Sequence, residues 1–131
     1  MTEDSMSKTV MITGAGSGFG KAASIALAER GHHVIATTET DAHVEELRAE
    51  APELQVERID ITNAQDIEKI AGWEVDVLIN NAGVGQTGPL ADVPMERVRR
   101  TFEVNVFGTL AVTQAVIKGM ATRGSGRIII V

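Results

Sequence analysis

The stretch Met11-Ile12-Thr13-Gly14-Ala15-Gly16-Ser17-Gly18-Phe19-Gly20 joins an apolar run to a glycine-rich turn, and the Ala-rich sequence after it has the composition of a helix. Val10, Met11 and Ile12 read as a buried strand, and glycine takes every second position from 14 to 20. Glycine opens backbone angles closed to other residues, and its missing side chain lets a phosphate approach the main chain. A helix opening near Ser17 or Gly18 directs free N–H groups and the positive end of its dipole at the same space. Such a place suits an anion. A tight turn that needs glycine for structure alone is the alternative. Spacing narrows the choice. The pattern G-x-G-x-x-G counted from Gly14 would need glycine where Phe19 stands, and a loop ending in G-K-[ST] fails because Ala22 follows Gly20-Lys21.

Outward from this turn, strands and helices alternate. Strands are expected over residues 8–13, 33–38, 54–59, 75–80 and 127–131. The first helix runs to about Arg30, with Gly31 as its stop. Asp41 is placed to cap a second, over 42–51, which Pro52 ends. Thr62 or Asn63 caps a third, to about Ala71. A single long helix is expected over 95–122, broken by glycine at 124 and 126. The strands are unalternated apolar runs, as in an open parallel sheet covered by helices on both faces. In such sheets ligands sit at the carboxyl ends of the strands. The glycine turn, Thr38-Glu39, Asp60-Ile61 and Asn80-Asn81-Ala82-Gly83 follow four successive strands and so share one rim. No acidic cluster follows the first strand, which disfavours a phosphoacceptor domain.

The chain of 131 residues is the length of one domain, with residues 1–7 expected as a flexible tail and 8–131 as the folded unit. Its formal net charge of −6 argues against a nucleic-acid or anionic-membrane surface, so a polyphosphate would be held by backbone N–H groups more than by basic side chains. There is no cysteine for a disulfide or thiolate metal site. No apolar run is expected to approach membrane-spanning length, and a cytoplasmic protein is the expectation. His32, His33 and His43 show no metal spacing with carboxylates and read as structural or solvated.

The chain resembles the short-chain dehydrogenase/reductase family through Thr13-Gly14-x-x-x-Gly18-x-Gly20, Asp60, Asn80-Asn81-Ala82-Gly83 and Asn105 within Val104-Asn105-Val106-Phe107-Gly108, in that order. The resemblance implies a Rossmann-type doubly wound sheet of strand order 3-2-1-4-5. It implies that Gly14, Gly16, Ser17, Gly18, Phe19 and Gly20 form the pyrophosphate turn of NAD or NADP, that Asp60 and Ile61 flank the adenine, and that Asn81, Ala82 and Gly83 line the cofactor. Asn105 matches the tetrad asparagine that holds a water in the proton relay. Taken alone, Asp60 reads first as a turn or capping residue, and Asn80 to Gly83 as a turn. Asn105, amid Val104, Val106 and Phe107, needs hydrogen-bond partners if buried. Thr38 and Glu39 stand where an acid bonds the ribose 2′-OH of NAD and an arginine takes the 2′-phosphate of NADP. Glu39 would repel that phosphate, which favours NAD; a merely solvated Glu39 is the alternative.

The family's catalytic serine and Tyr-x-x-x-Lys are not in the 131 residues, which hold no tyrosine, and the sequence stops within the fifth strand. Truncation of a longer oxidoreductase acting on an alcohol or carbonyl is the expectation, with a non-catalytic dinucleotide-binding module or inactive product as the alternative. Substrate contacts are confined to about 84–90. Two stripes mark the long helix: Met95, Val98, Phe102, Val106, Leu110, Thr113, Ile117 and Met120, and Val104, Phe107, Ala111 and Ala115. They read either as burial on two sides or as one wide face on the sheet. The family's use of this helix in oligomer contacts implies a homodimer or homotetramer. Gly18→Val is predicted to abolish binding of NAD with helical content largely retained, checked by titration calorimetry and far-UV circular dichroism; unchanged affinity would displace the pyrophosphate from this turn.

Overall fold

The structure, a computed structural model, describes residues 6–131. Five parallel strands, β1 (Thr9–Ile12), β2 (His33–Thr38), β3 (Gln55–Arg58), β4 (Val77–Asn80) and β5 (Arg127–Ile130), form one sheet in the order β3-β2-β1-β4-β5. The expected fold class is therefore present, with strand ends trimmed by a residue or two. The tail expected over 1–7 lies, through residue 5, outside the described residues; Ser7 Oγ donates to the Gly31 carbonyl at 3.0 Å.

Helices α1 (Gly18–Glu29) and α2 (Asp41–Glu50) cover one face, where Val10, Ile12, Val34 and Ala36 meet Val44 and Leu47. The other face carries Met11, Ile35 and Leu78 against α3 (Ala64–Ile70) and α5 (Thr109–Arg123). Alternate residues of a central strand thus enter two separate apolar layers, the reason its sequence is continuously apolar. Thr40, not Asp41, caps α2: its hydroxyl accepts from the His43 N–H at 3.3 Å. Asp41 is already helical, and its charge faces the positive end of the helix dipole. Asn63 caps α3, accepting from the N–H groups of Gln65 and Asp66.

The long helix departs from expectation in two ways. It is α4 (Met95–Phe102), a π-helical segment at Glu103–Gly108, and then α5. A π segment closes i→i+5 bonds and rotates everything after it relative to a straight α-helix. The face on the sheet is Val104, Gly108, Val112, Val116 and Met120, while Phe102, Val106, Phe107, Leu110 and Ile117 of the expected stripes are exposed. Gly108 is required at the contact, since a Cβ there would lie 2.7 Å from Ile61 Cγ1. Met95–Arg123 is also long and apolar enough to cross a membrane by length and composition, contrary to the expectation that no run would be; its inner face packs on the sheet.

Asp66, on α3, is the one buried carboxylate among the described residues. The Asp60 N–H donates to it at 2.9 Å and holds its carboxyl below the ordinary value of 3.8; burial opposes this, and Lys69 and Arg58 add to the lowering. A depressed folded-state pKa contributes stability that is present above the unfolded value and lost as pH falls through the folded one. Chemical denaturation should therefore show stability falling below about pH 4. Asp66→Asn is expected to flatten that acid limb and to lower stability at pH 7.

Candidate functional site

The rim at the carboxyl ends of the strands holds an open groove of about 270 Å³. Gly14, Gly16, Ser17, Thr38, Glu39, Asp60, Ile61, Asn81, Ala82 and Gly83 line it, so ten residues expected at the site are brought together by four strand exits. Gly18, Phe19, Gly20 and Asn105 are not in the lining. Gly18 has φ +56° and open space where a Cβ would stand, so it serves the turn. Phe19 is 85% exposed. Gly20 is buried under Asn81.

The glycine turn and the exit of β4 are locked together. Thr13 Oγ1 accepts from the Asn81 N–H at 3.1 Å and the Ala82 N–H at 2.9 Å, and Asn81 Nδ2 donates to the carbonyls of Thr13 and Gly14 at 3.2 and 3.1 Å. A Cβ on Gly14, which has φ +64°, would lie 2.8 Å from Ala82 Cα. Ser17 precedes α1 in extended conformation and makes no side-chain cap, which leaves the first N–H groups of that helix to an external acceptor. The groove accordingly has a backbone cradle without a filling side chain on one wall.

The other wall carries charge. Glu39 and Asp60 line it, and no lysine or arginine does among the described residues. His43 also lines it and is exposed, as a solvated side chain would be; its ring would stand 3.1 Å from a Cβ on Gly16. Placing His43 required knowing that the first turn of α2 folds back over the glycine turn. His32 and His33 are structural, Nδ1 of His32 accepting from the Lys8 N–H at 3.1 Å and Nε2 of His33 bonding Gln55 Oε1 at 2.9 Å. Ile59, Val84 and Val104 add apolar lining; the sequence singles out none of the three for the cofactor, though Val104 flanks Asn105 and Val84 opens the 84–90 stretch.

Asn105 sits in the π segment. Its Oδ1 accepts from the Val84 N–H and its Nδ2 donates to the Val84 carbonyl, both at 2.8 Å. The side-chain amide thus clamps the loop after β4 through both polar atoms.

A parallel sheet with a glycine cradle where its strand order reverses defines a Rossmann-type α/β protein. Residues 8–131 match the family described as short chain dehydrogenase, and the chain belongs to that family. It is 38% identical over 133 residues to an uncharacterized oxidoreductase, YusZ, of Bacillus subtilis, covering 93% of this chain and 47% of that one. A solved short-chain dehydrogenase from Streptomyces avermitilis superposes with a TM-score of 0.87 at 33% identity, over 95% of this chain and 49% of that one. A closed form of serine dehydrogenase complexed with NADP+ superposes with a TM-score of 0.87 at 32% identity, over 93% and 52%. The chain spans about half the length of the curated relatives it matches.

Overpacking against backbone costs about 1–3 kcal/mol. Gly20→Ala, whose Cβ would meet Asn81 Nδ2 and the Gly14 carbonyl, should lose about that much in urea denaturation, whereas Gly72→Ala, with its nearest neighbour at 3.8 Å, should lose less than about 1 kcal/mol.

Proposed function

We propose that this chain is the cofactor-binding part of an NAD(P)-dependent oxidoreductase that moves a hydride between the nicotinamide and an alcohol or carbonyl carbon. The observation that carries this is the cradle: Gly14, Gly16 and the uncapped start of α1 meet Asn81, Ala82 and Gly83 across a groove whose filling by a side chain is sterically barred. Backbone N–H groups there suit a pyrophosphate. Asp60 and Ile61 would flank the adenine, and Thr38 and Glu39 the ribose. The nicotinamide supplies the hydride chemistry when bound. This chain's residues bind and orient: the α1 N–H groups hold the phosphates, and Asn105 fixes the Val84 backbone beside the groove.

The 131 residues contain no tyrosine, so proton exchange by the family's usual acid/base is assigned to residues outside them. A dinucleotide-binding module without turnover is the second reading, favoured by that same composition. The exposed apolar face of Phe102, Val106, Phe107, Leu110 and Ile117 supports association as a homodimer or homotetramer.

Preference for NAD is supported by the wall of Glu39 and Asp60, which no lysine or arginine joins among the described residues. A 2′-phosphate placed beside Glu39 would be repelled. Titration calorimetry with NAD and NADP is expected to give NAD binding roughly tenfold tighter, a difference of about 1.4 kcal/mol, and Glu39→Gln to narrow the gap. Tighter binding of NADP would overturn the preference. Binding of neither would overturn the site.

A further inference from the structure

We infer that Asp66, which does not line the groove, is a positioning residue for the adenine half of the dinucleotide, acting through the peptide N–H of Asp60. This rests on the proposed dinucleotide site. The chain leaves β3 at Arg58 and turns through Ile59, Asp60 and Ile61, all three of which line the groove, before α3 begins at Ala64. No strand pairing holds the turn beyond the Ile59 N–H, which donates to the Thr38 carbonyl at 2.9 Å. Past that point its backbone is held from α3: Asp66 Oδ2 accepts the Asp60 N–H at 2.9 Å. Asp60 in turn closes the turn on itself, its Oδ1 accepting from the Thr62 N–H at 2.9 Å and the Thr62 hydroxyl at 2.7 Å.

The other partners of Asp66 are weaker anchors. Arg58 Nη1 lies 3.5 Å from Oδ2 and Lys69 Nζ 3.1 Å from Oδ1, with both basic side chains about half exposed. Exposed ion pairs contribute little, whereas the part-buried Asp60 N–H loses its acceptor outright when Asp66 is removed, and an N–H left unpaired away from water is costly. The acceptor atom, more than the charge, is what sets the turn. The Ile61 side chain packs closely on Gly108, where a Cβ would lie 2.7 Å from Ile61 Cγ1, so a shift of the turn also disturbs the helix contact. Loss of the acceptor would let the Asp60–Ile61 backbone move into the groove.

Acceptor and charge are separable. Asp66→Asn keeps a carbonyl oxygen for the Asp60 N–H and removes the charge; Asp66→Ala removes both. With ADP as probe, calorimetry well below the melting temperature should give Asp66→Ala roughly tenfold weaker binding and Asp66→Asn binding within about threefold of the parent. Equal weakening in both variants, or a folded Asp66→Ala that binds like the parent, overturns the inference. Amide hydrogen exchange in the parent chain tests it independently of whether Asp66→Ala folds. The Asp60 N–H must be protected before ADP is added, and unprotected exchange there overturns it. A parent chain that binds no ADP overturns the dinucleotide site itself, while a parent that binds ADP with no Asp66→Ala effect overturns only the role of Asp66.

Discussion

The structure depends on the close approach of two backbones, the turn after β1 and the exit of β4. Thr13 Oγ1 receives two N–H groups from Asn81 and Ala82, and the Asn81 amide returns bonds to two carbonyls of the turn. Nothing larger than glycine fits at positions 14 and 20 while these bonds stand. The junction lies where strand order reverses, so it sets the rim on which every groove residue is mounted. It also explains why the groove is a cradle of main chain. A side chain able to fill it would break the junction that makes it.

Around that junction the groove is built from two unlike walls. The glycine wall offers N–H groups and the dipole of α1. The opposite wall, from the ends of β2 and β3, offers Glu39, Asp60 and His43. In a chain of net charge −6 the first wall is the one suited to an anion, and the second carries the acidic side chains. The second wall is also the less well supported, because β3 is an edge strand and its exit turn has no neighbour strand beyond it. Helix α3 supplies the support through one buried carboxylate.

The π segment at Glu103–Gly108 has consequences at both ends. It brings Gly108 against Ile61 on the inner face and places Asn105 at the Val84 backbone. Phe107, within it, and Leu110, just after it, are exposed. The stripe of Met95, Phe102, Leu110 and Ile117 is exposed on both sides of the segment, while Val104, Gly108, Val112, Val116 and Met120 face the sheet.

The amino-acid sequence by itself determined the alternation of strand and helix, the parallel sheet, and ten of the groove residues. Those features follow from local causes: apolar runs of strand length, glycines that permit a turn, and the tendency of strand exits to share a rim. Tertiary structure alone decided the placement of His43 over Gly16, the clamp of Asn105 on Val84, the contact of Gly108 with Ile61 and the hold of Asp66 on Asp60. Three of these join residues well apart in the chain, and the fourth spans a turn whose shape depends on the sheet edge. Which atoms meet in each case is set by how helices seat on the sheet, and no local pattern of residue types encodes that.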